Sequence, residues 1–182
     1  MSFDAEFQRV VMIEGGYSDN PIDSGGRTKY GVTESVARAY GYTGEMRDLS
    51  FGTARAIYRE RYWDVLKLDE VELLAPRVAA ELFDTSVNCG PGVAGTFLQR
   101  ALNIFNRGGS LYPEVVVDGL VGRMTLAALS AYMRVYSRYS ADAEVVMVRA
   151  LNAQQGAFYL DLATKRPKDE EFVFGWFRNR VS

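Results

Sequence analysis

Three carboxylates stand close together near the start of the sequence, in the run EGGYSDNPIDSGG that carries Glu14, Asp19 and Asp23. Glu14 continues the three-and-four spacing of Phe7, Val10 and Val11, so it falls on the apolar face of a helix that Gly15 and Gly16 then stop. A glutamate there is disfavoured as an anion twice over, by desolvation and by the negative end of the helix dipole. Its pKa is expected to rise, which suits a general acid that protonates a leaving oxygen near neutral pH. The aspartates sit among Ser, Asn and Gly, which keep them hydrated and ionised. A protonated acid with an ionised partner is the pair that hydrolyses glycosidic bonds, with or without inversion according to whether the carboxyls stand roughly 6.5–9.5 Å or about 5 Å apart. The structural alternatives are that Glu14 turns outward past Gly15 and that the aspartates only serve turns.

Composition narrows the chemistry. The 182 residues contain no histidine, which excludes Ser-His-Asp triads, His-activated cysteines and almost every catalytic zinc arrangement. A net charge of −2 gives no electrostatic footprint for nucleic acid. The single cysteine, Cys89, has no internal disulfide partner, and among small neighbours it reads as a packed core atom rather than a nucleophile. The opening MSFDAEFQRV has two acids and no basic segment before an apolar run, and no apolar stretch approaches the ~20 residues of a membrane span. Synthesis as a soluble cytoplasmic protein is the expectation.

The elements that must position the carboxylates follow from periodicity. Residues from Phe3 form the first helix, Ser18 to Gly26 reads as loop, and Thr28 to Thr33 as a short strand or hairpin edge. Helical patterns cover Glu34 to Tyr40, Ser50 to Trp63, Glu72 to Asn88, Gly92 to Asn106, Gly122 to Ser137 and Asp142 to Thr164. In the last of these, Val148, Leu151, Phe158 and Leu162 make the apolar face. EEFVFGWFRNR reads as a final amphipathic helix. The fold class is α+β, mostly α, with a small β element near the N-terminus. No linker separates residues 1–90 from 91–182, so the two halves are expected to pack as one unit.

The run EGGYSDNPIDSGGRTKYGVT, Glu14 to Thr33, resembles the signature of the glycoside hydrolase family 108 muramidases, phage-type lysozymes. Those sequences begin EGGY, continue through an Asp followed by two glycines and a Thr, and end in aromatic-Gly-Ile/Val-Thr. LFDTSVNCGPGVAGTFLQRALN and VVDGLVGRMTLAAL resemble the peptidoglycan-binding region that accompanies the family, and GWFRNRV its closing helix. The resemblance implies a lysozyme-like body, with 1–90 as the muramidase region and 91–182 as the peptidoglycan-binding region. Glu14 then matches the catalytic acid, and Asp23 and Thr28 the family's loop Asp and Thr. The better-known phage lysozymes have a longer Asp-to-Thr spacing than the five positions here.

Around that core, Tyr17 and Tyr30 offer flat faces for sugar rings, or packing. Asn88 can donate to an N-acetyl carbonyl or cap its own helix. Gln99 and Asn103, four apart on one helix face, are candidates for stem-peptide contact. The Asp118-Gly119-Leu120-Val121-Gly122 stretch reads as a tight turn capping the next helix. The function expected is cleavage of the β-1,4 bond between N-acetylmuramic acid and N-acetylglucosamine in bacterial peptidoglycan. No metal or cofactor is called for. The expected setting is a monomeric phage or prophage endolysin, made in the host cytoplasm and acting on the wall in the periplasm after passage through a holin. A bacterial muramidase opening the wall for toxin secretion is the alternative within the class, and a non-catalytic peptidoglycan-binding module the alternative outside it.

Overall fold

The computed structural model describes residues 2–14, 16–18 and 26–181, apart from the side chains of residues 12–14. It divides into two compact units, Met1–Asp64 and Val65–Ser182. The expected class is observed: a mostly helical α+β chain whose one described sheet has two short antiparallel strands near the N-terminus, consistent with a lysozyme-like fold.

In the first unit, helix α1 (Phe3–Glu14) buries Phe3, Phe7, Val10 and Val11, the stripe that the spacing predicts. Its rings meet those of α3 (Phe51–Tyr58): Phe7 lies 5.1 Å from Phe51 and 5.2 Å from Tyr58, ring centre to ring centre. Helix α3 is shorter than the sequence pattern suggests. It starts after Ser50, whose hydroxyl accepts from Thr53 N, and ends at Tyr58 in a wider π turn over Arg59–Trp63. The added backbone per turn brings Trp63 round to the buried side, where it meets Phe3 edge-on at 5.3 Å. Between α1 and α3 lie the strands β1 (Thr28–Lys29) and β2 (Val32–Thr33), paired Thr28 to Thr33 and Lys29 to Val32. Thr33 then caps α2 (Glu34–Tyr40), which Gly41 ends at φ 97°.

The second unit is built around α5 (Pro76–Cys89), which packs against α4 (Leu68–Leu74), α6 (Pro91–Phe105) and α8 (Ala143–Lys165). The single helix expected over Glu72 to Asn88 is two, because Pro76 has no N–H to continue α4 and keeps Ala75 out of the helical conformation. Gly90 at φ 93° and Pro91 repeat the device between α5 and α6. Helix α7 (Arg123–Tyr136) joins α6 through rings: Phe105 and Tyr132 are 5.3 Å apart, and the Tyr136 hydroxyl donates to Phe105 O at 2.8 Å. The buried face of α8 differs from the apolar pattern. Met147, Leu151, Asn152, Gln155, Gly156 and Tyr159 are buried, while Val148, Phe158 and Leu162 are only partly covered. A Cβ added at Gly156 would lie 3.2 Å from the ring of Phe177 of α9 (Glu170–Arg180), so the two helices approach closely there.

Candidate functional site

Glu14 is the last residue of α1, at the negative end of the helix dipole. The helix that carries it is held to α3 by the ring contacts of Phe7 and, near its start, by the Asp4–Arg55 ion pair at 2.6 Å. The guanidinium beside it holds the Asp4 carboxyl below the usual carboxylate range. The side chain of Glu14, and all of Asp19 and Asp23, lie outside the described residues.

From Gly26 onward the chain forms a narrow β edge. Ser18 and Thr28 exchange backbone hydrogen bonds at 2.8 and 2.9 Å, tying the segment after Tyr17 to the hairpin. Among the described residues, the Thr28 hydroxyl donates one long bond, 3.4 Å, to Gly26 O. Tyr30 and Gly31 form the hairpin turn with φ of 54° and 73°. A tyrosine in that region costs about 1–2 kcal/mol. Two contacts oppose the cost: Tyr58 Oη donates to Tyr30 O at 3.2 Å, and the Tyr30 ring stands perpendicular to Phe51 at 5.6 Å. Lys29 Nζ lies 5.3 Å from the centre of the Tyr30 ring and donates to Arg47 O.

Tyr17 is 40% exposed and Phe51 44%, so each offers ring surface to a ligand. Phe51 escapes the sequence reading because it occupies the first turn of a helix and follows the apolar pattern. The only local signal is the Ser50 cap, which shows where the helix starts and not which way its first ring faces.

The remaining candidates belong to the second unit. Asn88 is exposed at the end of α5, and its Nδ2 donates to Asp84 O at 2.8 Å and Asp84 Oδ2 at 3.4 Å. Those partners fix which end of the amide is nitrogen, leaving Oδ1 as the atom presented for a further bond. Asp84 is itself buried against Arg180 of α9 at 2.8 Å. Gln99 is buried, with every part of its amide engaged: Nε2 donates to Asp118 Oδ1 (2.8 Å) and Leu120 O (3.0 Å), and Oε1 accepts from Gly119 N (2.8 Å). One helical turn on, Asn103 exchanges paired bonds with Val115, at 2.8 and 2.9 Å. The two amides of α6 thus lace down the segment that precedes α7. The turn expected to cap α7 instead closes on itself, since Leu120 N donates to Asp118 Oδ1 and Gly122 caps α7 without a side-chain bond.

A glutamate at a helix end, the polar sequence that follows it, and a short hairpin with the exposed rings of Tyr17 and Phe51 in the same unit suit a carbohydrate-cleaving hydrolase that works through carboxylates. Comparison with known proteins points the same way. Residues 7–90 match the family described as Glycosyl hydrolase 108, and residues 93–181 match a Predicted Peptidoglycan domain. The solved structure of SagA from Brucella abortus is similar over 98% of this chain and 91% of that one, at 27% identity and a TM-score of 0.71. No curated protein matches the chain. The protein is a glycoside hydrolase whose first region is similar to family 108, and the peptidoglycan domain that follows makes it a peptidoglycan hydrolase.

Proposed function

We propose that the protein is an N-acetylmuramidase that cleaves the β-1,4 bond between N-acetylmuramic acid and N-acetylglucosamine. The observation that carries the reading is Glu14 as the terminal residue of α1 within the region matched to the hydrolase family. Glu14 donates its proton to the glycosidic oxygen as the bond breaks. Asp23 stabilises positive charge developing on the sugar ring or activates the attacking water, and the Thr28 hydroxyl, bonded at 3.4 Å to Gly26 O, helps to hold that water. Tyr17 and Tyr30, with Phe51 beside Tyr30, give faces for sugar rings. Asn88 accepts from an acetamido N–H through Oδ1, a reversal of the donor role its type first suggests. Gln99 and Asn103 serve the stem peptide indirectly, by fixing the segment over Val115 to Leu120. Residues 1–90 act as the catalytic region and 91–182 as the wall-binding region of one monomer.

Mass spectrometry of products from purified sacculi tests the bond. Fragments with N-acetylmuramic acid at the reducing end are expected; reducing N-acetylglucosamine, or released peptides with intact glycan, would overturn the assignment. The setting proposed first is an endolysin made in the cytoplasm and passed to the periplasm by a holin. The second setting is a bacterial enzyme that opens the wall for toxin secretion, and the origin of the similar structure in Brucella abortus supports the bacterial part of that reading. Cytoplasmic expression with and without a holin separates them: lysis only when the holin is present supports the first, and wall cleavage that needs a secretion apparatus supports the second.

A further inference from the structure

Between α6 and α7 the chain forms neither helix nor strand, yet the side chains of Gln99 and Asn103 hydrogen-bond to its backbone. Gly119 has φ 77°, and the segment lies so close to α6 that a Cβ on Gly95 would stand 2.2 Å from Gly119 O. A Cβ on Gly119 itself would stand 2.6 Å from Gly92 O. On this fixed turn Asp118 accepts through Oδ1 from Gln99 Nε2 and Leu120 N, both at 2.8 Å, while its side chain remains exposed. The bond from Gln99, then that from Leu120, holds the carboxyl below the ordinary range, so the charge persists in mildly acidic solution. A carboxylate has about four acceptor positions, and these bonds leave room for a ligand.

The turn borders a groove of about 480 Å³. Asp118 and Glu114 give it two negative charges, and Arg123, the first residue of α7, gives it one positive charge. In the same lining Val116, Leu120 and Met124 present exposed apolar surface. A ligand complementary to all of this carries an ammonium, a carboxylate and a short hydrocarbon chain together.

We propose that this groove receives the stem peptide of peptidoglycan at its diamino-acid residue. The free side-chain ammonium would lie on Asp118 and Glu114, the neighbouring carboxylate on Arg123, and the methylene chain along Leu120 and Met124. The inference rests on the peptidoglycan reading given above and assigns the part of the wall polymer that the second region holds. Gln99 is then a positioning residue, which acts through Asp118.

The test titrates the full chain with the free tetrapeptide L-Ala-γ-D-Glu-diaminopimelyl-D-Ala, followed by calorimetry or amide NMR shifts, which needs no cleavage. A second peptide has the side-chain amine acetylated, and a third has lysine in place of the diamino diacid. Wild type is expected to bind the first at least about threefold more tightly than either analogue, the scale of a charge-assisted bond at an exposed site. Asp118→Asn keeps the acceptor that closes the turn and should lose the preference against acetylation. Arg123→Gln should lose the preference against lysine, and it carries the test if Asp118→Asn fails to fold. Equal binding of all three peptides by wild type, preferences unchanged in both variants, or no saturable binding would overturn the groove assignment. If glycan cleavage continues in any of those cases, the muramidase reading survives; charge-selective peptide binding by a protein that cleaves no glycan would support the groove and overturn that reading.

Discussion

The last helix is tied to the body of the second unit by a buried ion pair, and cutting that pair should release it. Arg180 Nη1 and Asp84 Oδ1 are 2.8 Å apart, with side chains only 5% and 4% exposed. Arg180→Met removes the cation and leaves the carboxylate in a site built to neutralise it. The cost of breaking one side of such a pair is about 3–5 kcal/mol. Replacing both partners by apolar residues of similar size removes the charge that needs solvation, so Asp84→Leu with Arg180→Met should be within about 1–2 kcal/mol of wild type. Ring contacts keep α9 partly in place in both proteins, since Trp176 lies 5.0 Å from Tyr159 and Phe177 covers Gly156. Urea unfolding followed by tryptophan fluorescence measures the difference, and the two single substitutions with the double make a complete thermodynamic cycle. A loss under about 1 kcal/mol in Arg180→Met, or costs that simply add in the double variant, would refute the claim that the pair is desolvated and coupled.

A chain ended after Gly90 should be insoluble or inactive, because the buried face of α5 with Val78, Leu82 and Phe83 loses α6 and α8; a soluble fragment that clears peptidoglycan as well as the whole chain would show the first 90 residues to be self-sufficient. Gly95→Ala should destabilise by about 1–3 kcal/mol or more, since its methyl meets the backbone of Gly119 rather than a flexible side chain, and an unchanged melting curve would contradict that contact. Burial pushes the Cys89 thiol up to about 11 from an ordinary 9.0, and Tyr132 up to about 12 from 10.0. Both pKa values are raised on folding, so the stability they confer is whole below pH 9 and is lost as pH rises through 11 and then 12. The urea midpoint should fall across that window, and Cys89 should resist alkylation at pH 8 in the native state; a flat midpoint or prompt alkylation would contradict the burial.

The helix that carries Glu14 and the hairpin after it are legible because their signals are local. A three-and-four apolar spacing runs to a pair of glycines, and Thr33 and Gly41 mark both ends of α2 as they stand in the structure. The pattern failed where a local rule was overlooked or a distant partner decided the outcome. Pro76 within Glu72 to Asn88 was a readable stop. The buried side of α8 was not readable, because Asn152, Gln155 and Gly156 face neighbours that the helix's own sequence does not name. Gln99 and Asn103 were correctly paired on one face of α6, but what they bind lies 12 to 21 residues further on, in a segment without periodicity. Phe51 and Arg123 gain their interest only from the surfaces beside them.

The central claim is that Glu14 supplies the proton for glycosidic cleavage, and Glu14→Gln tests it most directly because it preserves shape and removes the acid. Release of reducing sugar from purified sacculi should fall by at least about 100-fold, the low end for loss of a general acid. The substituted protein should keep its melting temperature and still bind the wall. Sugar release within threefold of wild type by a folded Glu14→Gln protein would contradict the account.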